Sequence, residues 1–196
     1  ALDGKTGKYK WHYQTVPGET WDFDSAMDIE LADIELAGKP RKVLIHAPKN
    51  GFFYVIDRTD GTLISAEPYA PVTWAKGIDK ASGRPIEAEG ARYDQGRAIN
   101  LRPTAMGAHS WLPMAWSPKT QLVYIPAIDF EMGYADASKG WKVPTDRVLN
   151  GANAVLGGVA MGRTPARGCP VYCRPPRCST ASCPTPPSSS VPDARA

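Results

Sequence analysis

Short alternating or apolar runs bounded by turn residues recur along the first 130 positions, the pattern of β-strands. Over residues 27–36 acidic and apolar side chains trade places (Asp28, Ile29, Glu30, Leu31, then Asp33, Ile34, Glu35, Leu36), which predicts a half-exposed strand pair or sheet edge. Gly38-Lys39-Pro40 predicts a turn, residues 42–47 a short apolar strand, and residues 52–56 another with Gly51 just before it. Residues 124–128 read as a further strand. A helix finds support only over 148–159, where the stretch is Gly-rich and weak. Beyond about Met161 the pattern stops. Residues 163–196 are crowded with Pro, Ser, Cys and Arg and show no period. Such composition buries too little surface to offset ordering entropy, so residues 161–196 are read as a disordered low-complexity tail. An out-of-frame reading of GC-rich DNA would produce such a tail.

Three segments read as variants of one unit: residues 1–14, 54–63 and 114–125, spaced by about 55–60 residues. Each sets an Asp or Ser-Pro turn and a Thr between two short strands. Gly follows the turn in the first two, and Gln121 takes that place in the third. Asp and Gly accept the backbone angles of tight β-connections. The spacing fits a four-stranded propeller blade with loops, and an ordinary β-meander fits it too.

A chain of 196 residues has room for one ordinary core. A net charge of +3 with no dense basic block argues against nucleic acid as a partner. No run of eighteen apolar residues predicts a membrane span. The start shows no charged and apolar leader, and it opens in mid-motif at Ala1-Leu2-Asp3. Cys169, Cys173, Cys178 and Cys183 are spaced more loosely than the paired cysteines of a structural zinc site, and none of the three histidines is nearby. A disulfide framework stays open.

The chemistry concentrates in Trp21-Asp22-Phe23-Asp24. In an extended segment Asp22 and Asp24 point one way and Phe23 into packing. Two carboxylates aimed at one spot can hold a hard cation or divide the roles of ligand and base. An Asp between two aromatics is partly desolvated and calls for a cation. Lys49, in His46-Ala47-Pro48-Lys49-Asn50-Gly51, would add a fixed positive charge. Taken alone, the Asp pair also suits a turn cap, and Lys49 suits an ordinary hairpin.

These residues resemble the active-site face of the quinoprotein alcohol dehydrogenases, which use pyrroloquinoline quinone (PQQ). Residues 1–14 also resemble the tryptophan-docking motif of those propellers, through Ala1, Asp3, Thr6, Gly7, Trp11 and Gln14. Met106-Gly107-Ala108-His109-Ser110-Trp111-Leu112-Pro113-Met114 is similar to a cofactor-side segment of the family, with Ser110 where the family has Asn and Leu112 where it has Gln. Ser is shorter and lacks the amide's double valency.

The resemblance implies an all-β fold, about two to three blades of an eight-bladed quinoprotein propeller over residues 1–160. It implies Asp22 as catalytic base and metal ligand, and Asp24 as a second metal ligand. Lys49, Ser110 and Trp111 would contact PQQ. The metal would be Ca2+ or a lanthanide ion, the trivalent ion being favoured by the extra carboxylate of Asp24. The substrate would be a small alcohol, the electron acceptor a cytochrome-type protein, and the location the periplasm. No Cys-x-x-Cys-His occurs, so haem c is not indicated within this chain. The isolated fragment is expected to be inactive on its own, and a non-catalytic propeller scaffold or an inactive truncated gene product are the rival readings. His109 and Trp74 read as structural.

Overall fold

The computed structural model describes residues 1–93, 98–135 and 167–179. Their regular structure consists of strands: β1 (Ile29–Leu36), β2 (Lys39–His46), β3 (Phe52–Asp57), β4 (Leu63–Pro68), β5 (Ala75–Ile78), β6 (Pro85–Glu87), β7 (Ile99–Leu101), β8 (Ala115–Ser117), β9 (Leu122–Asp129), β10 (Met132–Tyr134), β11 (Arg167–Arg174) and β12 (Arg177–Ser179). β1 to β4 form one antiparallel sheet in sequential order, and β8, β9, β11 and β12 form a second. β5 pairs with β6, and β7 with β10. β1 lies beside β8 and β4 beside β12, so the two four-stranded sheets stack with matching ends together, as neighbouring propeller blades do. No helix among the described residues is long and apolar enough to cross a membrane.

Three local features depart from the sequence reading. The β1–β2 turn centres on Ala37 and Gly38, with φ of 50° and 72°, which is the left-handed pair that a two-residue hairpin needs. Lys39 and Pro40 therefore already belong to β2, opposite Leu36 and Glu35. Second, part of the segment read as a disordered tail is ordered. β11 pairs with β9 from Arg167↔Asp129 to Cys173↔Val123, and β12 folds back on β11. The unpaired edge of β9 offers a ladder that needs no amphipathic period, and Cys169-Pro170-Val171-Tyr172-Cys173 is a short strand-forming run hidden within a Pro-rich average. Cys173 is buried and disulfide-bonded. The remaining tail, and the helix expected over 148–159, lie outside the described residues. Third, the turn unit occurs a fourth time, at Asp79-Lys80-Ala81-Ser82-Gly83.

The core explains the hydrophobic pattern of β3, which is buried at all six positions. Alternate residues serve opposite faces: Phe53 and Val55 join a cluster with Val43, Ile45, Val123 and Ile125, while Phe52, Tyr54 and Ile56 join Trp21, Phe23, Trp74 and Leu101. Each such side chain contributes about 1.5–3 kcal/mol by leaving water. The first cluster joins the two stacked sheets. The second supports the segment bearing Asp22 and Asp24.

The repeated turns share one construction. Gly7, Gly61, Gly83 and Gln121 each donate their N–H to the carbonyl of the residue four positions earlier (Asp3, Asp57, Asp79 and Ser117) at 2.8–2.9 Å. In the first three, an Asp Oδ1 accepts the N–H and hydroxyl of a Thr or Ser: Thr6, Thr59 and Ser82. In the fourth, Ser117 Oγ accepts the N–H of Thr120 at 3.2 Å. The closing residue is left-handed in all four, with φ from 57° to 83°. Gln121 pays a steric cost there that Gly avoids.

Two of these glycines receive an aromatic ring from the first unit. Trp11 lies over Gly61, and its Nε1 donates to Arg58 O at 3.2 Å; a Cβ on Gly61 would sit 2.7 Å from the ring. Tyr13 does the same at Gly83, its hydroxyl donating to Gly83 O at 2.8 Å. Burial pushes the Tyr13 phenol up to about 12.

Gly61→Ala should therefore destabilise the chain by about 2–4 kcal/mol, from left-handed strain plus displacement of Trp11, as a lowered urea midpoint would record. A pH effect follows as well. The carboxyls of Asp3, Asp57 and Asp79 lie below the ordinary value of 3.8, held there first by the hydroxyls of Thr6, Thr59 and Ser82. Because the folded values are depressed, the turns' contribution is complete above the ordinary value and lost as pH falls through the folded one. Acid titration monitored at the amides of Thr6, Thr59 and Ser82 should show these turns loosening only below pH 3.8.

Candidate active site

Trp21 and Phe23 anchor the segment before β1. Both are buried, with ring centroids 5.7 Å apart, and Trp74 packs at 5.1 Å from Trp21 and 5.5 Å from Phe23. Trp21 Nε1 donates to Ala91 O at 2.9 Å, and its own carbonyl accepts the Tyr134 hydroxyl at 3.2 Å. The Arg92 guanidinium lies over the Trp21 ring, 4.1 Å from the centroid. With the aromatics pinned inward, Asp22 and Asp24 project outward, their side chains 41% and 48% exposed.

The two carboxylates do share one side, but by a different route from simple strand alternation. Asp22 is left-handed, with φ of 67°. Asp is among the few non-glycine residues that visit this region. Glu19 accompanies the bend: one of its oxygens, Oε1, accepts the N–H of Trp21 at 2.5 Å and of Phe23 at 2.9 Å. Sequence reasoning missed this residue, although a Glu three positions before the Asp is a signal that could have found it.

Lys49 stands in the loop between β2 and β3. Its Nζ lies 2.6 Å from Asp24 Oδ2 and 3.4 Å from Asp22 Oδ2, and it donates to Asp22 O at 3.1 Å. The lysine side chain is only 9% exposed, so its charge faces the two carboxylates rather than solvent. Asn50 rigidifies the loop, accepting the Phe52 N–H at 3.1 Å and donating to Tyr54 Oη at 2.7 Å. Asn50 O in turn accepts Trp74 Nε1 at 2.8 Å, which ties the lysine loop to the aromatics under the carboxylates.

The segment 106–112 closes one side. Ala108 N–H donates to Lys49 O at 3.0 Å. Gly107, with φ of 82°, lets the lysine stem pass: a Cβ there would lie 2.4 Å from Lys49 Cγ and 2.6 Å from His109 O. His109 is fully buried, with Nδ1 and Nε2 each 2.6 Å from a carbonyl oxygen, those of Ala47 and Leu112. These contacts are those of a structural residue, in line with the expectation for His109. Ser110 is half-buried, and Trp111 is 87% exposed, with Leu112 and Met106 of the same segment also exposed.

The donor set suits a hard cation as part of a shell, being two anionic oxygen groups open to solvent on one side. It falls short of the six to eight oxygens that calcium takes. Among the described residues no group of three or more His, Cys, Asp or Glu side chains is placed to share one ion.

Residues 1–76 match the family described as the glucose/ethanol/alcohol dehydrogenase β-propeller domain, PQQ type. The chain is 52% identical over 139 residues to a quinohemoprotein alcohol dehydrogenase of Comamonas testosteroni, covering 71% of this chain and 19% of that protein. It is 45% identical over 171 residues to a 1-butanol dehydrogenase (cytochrome c) of Thauera butanivorans, covering 85% and 24%. Among solved structures, the Comamonas testosteroni quinohemoprotein alcohol dehydrogenase superposes with a TM-score of 0.76 at 42% identity, over 89% of this chain and 26% of that one. A europium-containing methanol dehydrogenase superposes at 0.66 and 39% identity, over 68% and 23%. Over most of its length the chain is thus similar to quinoprotein alcohol dehydrogenases, with residues 1–76 matching their propeller domain, and it spans about a fifth of the length of the first curated relatives it matches.

Gly107→Ala should displace Lys49 from the two carboxylates and cost about 1–3 kcal/mol, because the added Cβ would collide with the lysine stem on one side and the His109 carbonyl on the other. Chemical denaturation together with a crystal structure of the variant would check both parts.

Proposed function

We propose that this chain carries the base and the cofactor-facing lysine of a PQQ-dependent alcohol dehydrogenase, which oxidises an alcohol to an aldehyde or ketone. The carrying observation is the meeting of Asp22, Asp24 and the buried Lys49 Nζ at one spot, with distances of 2.6–3.4 Å. Asp22 accepts the proton of the substrate hydroxyl on its half-exposed carboxylate. Lys49, held on Asp22 O and Asp24, keeps a fixed positive charge at the place where negative charge develops. PQQ, when bound, supplies the hydride acceptor and the metal ion its Lewis acidity. Ser110 and Trp111 would contact the cofactor from the segment whose Gly107 packs against Lys49, and the exposed ring of Trp111 suits contact with a flat ring system.

Asp22 and Asp24 would hold the ion, calcium or a lanthanide, with further oxygens from outside the described residues. The second carboxylate favours the trivalent ion on charge grounds, and the likeness to a europium-containing methanol dehydrogenase supports that reading. A cytochrome-type acceptor accords with the name of the Thauera butanivorans relative. The periplasm is the compartment we assign by family likeness. A non-catalytic scaffold or an inactive truncated product would keep the blades without needing a buried lysine on two carboxylates.

In protein loaded with PQQ and metal, Asp22→Asn should lower alcohol-dependent dye reduction about 10²–10⁴-fold, the range of a lost general base. Absence of alcohol-dependent reduction in a loaded full-length protein that carries these residues would favour the scaffold reading. Asp24→Ala should weaken terbium binding far more than calcium binding in parallel titrations; equal losses would remove the lanthanide preference.

A further inference from the structure

Asp22 is the site residue with the least comfortable backbone, and the structure shows what holds it there. Left-handed φ brings the N–H groups of Trp21 and Phe23, on either side of Asp22, round to a single point. Alternating N–H groups that converge in this way form a concave anion seat. Glu19 Oε1 occupies the seat, at 2.5 Å and 2.9 Å. A single carboxylate oxygen thus satisfies both amides while the Asp22 side chain leaves on the other side, toward Lys49. Charge-assisted bonds of this kind are about twice as strong as neutral ones.

We propose that Glu19 is a positioning residue for Asp22: its carboxylate, seated on the Trp21 and Phe23 amides, holds Asp22 in the left-handed conformation that points the base at its substrate. The assignment rests on the reading of Asp22 as the base. Lys49 holds the carbonyl and carboxylate of Asp22 from the other side, and among the described residues Glu19 is the side chain bonded to the two flanking amides. Trp21 and Phe23 fix the aromatic ends of the bend through the Ala91 carbonyl, Tyr134 and Trp74, but these contacts leave the two amides unanswered. Arg92 and Tyr93 hold the preceding residues, through Gly18 O, Thr20 Oγ1 and Thr20 O, and so steady the platform from which Glu19 reaches forward. A glycine at position 22 would adopt the bend without help, yet it would carry no carboxylate. Asp can visit the left-handed region but at a steric cost that Gly avoids, and the Glu19 bonds to both flanking amides favour that conformation over the extended one.

The test pairs Glu19→Ala with Glu19→Gln, since the amide oxygen of Gln can still accept from both N–H groups without the charge. Hydrogen exchange measured on the full chain should show the Trp21 and Phe23 amides exchanging about tenfold faster in Glu19→Ala and only modestly faster in Glu19→Gln. The amides of Val55 and Ile56 in β3 should keep their wild-type rates, which separates a local release from general unfolding. In protein loaded with PQQ and metal, Glu19→Ala should lower kcat about 10–100-fold with KM little changed, and Glu19→Gln should recover most of the loss. Unchanged exchange at Trp21 and Phe23 in Glu19→Ala would overturn the assignment, as would faster exchange with full kcat. If a loaded full-length protein that carries these residues turned over no alcohol, the functional reading would fall, and the exchange rates alone would decide whether Glu19 clamps the bend.

Discussion

A lysine that is nearly out of water must find negative charge, and in this chain it finds it on two residues at once. Lys49 arrives from the loop between β2 and β3, Asp22 and Asp24 from the segment ahead of β1, and the three meet within 3.4 Å. Removing one partner of such a cluster leaves a charge unpaired in a poor solvent, which is why buried ion groups are costly to break and uninformative to count. The surrounding structure reads as provision for this meeting. Asn50 stiffens the lysine loop, Trp21 and Phe23 bury the other side of the acidic segment, and Gly107 clears space for the four-carbon stem.

The two hydrophobic clusters divide the labour. One joins the stacked sheets through Val43, Ile45, Phe53 and Val55 against Val123 and Ile125, and has no access to the charges. The other is rich in aromatics and stands beneath the acidic segment. Large rings suit that place because Trp21 and Trp74 combine apolar area with an N–H that must be answered. The Ala91 and Asn50 carbonyls answer them. The same rings that fill the core thus fix two loop backbones at defined distances from one another.

Much of this was legible in the residues. Period-two alternation located β1, and short apolar runs located β2 and β3 to within a few residues, because β1 has unequal faces while β3 buries both. The Asp and Lys positions were legible through motif likeness, and their convergence follows from neighbouring turns of one sheet. What escaped depended on backbone angles and on partners distant in sequence. The left-handed turn of Asp22 and its amide partner Glu19 leave no hydropathy trace. The fourth turn unit was obscured because the strands it joins, β5 and β6, are only four and three residues long. The hairpin at Arg167–Ser179 was hidden because strand addition to a waiting edge is a property of β9, not of the added segment's average composition.

The aromatic rings that settle on Gly61 and Gly83 both come from upstream, Trp11 and Tyr13, within the first fourteen residues. The fastening is therefore directional: a leading segment supplies two bolts, and later turns supply only the sockets. Damage near the beginning loosens two distant hairpins together, whereas a lesion in either hairpin frees a single ring and leaves the other seated. A chain fastened in this sense emerges from synthesis with its bolts already made, and each socket can lock as soon as its glycine appears.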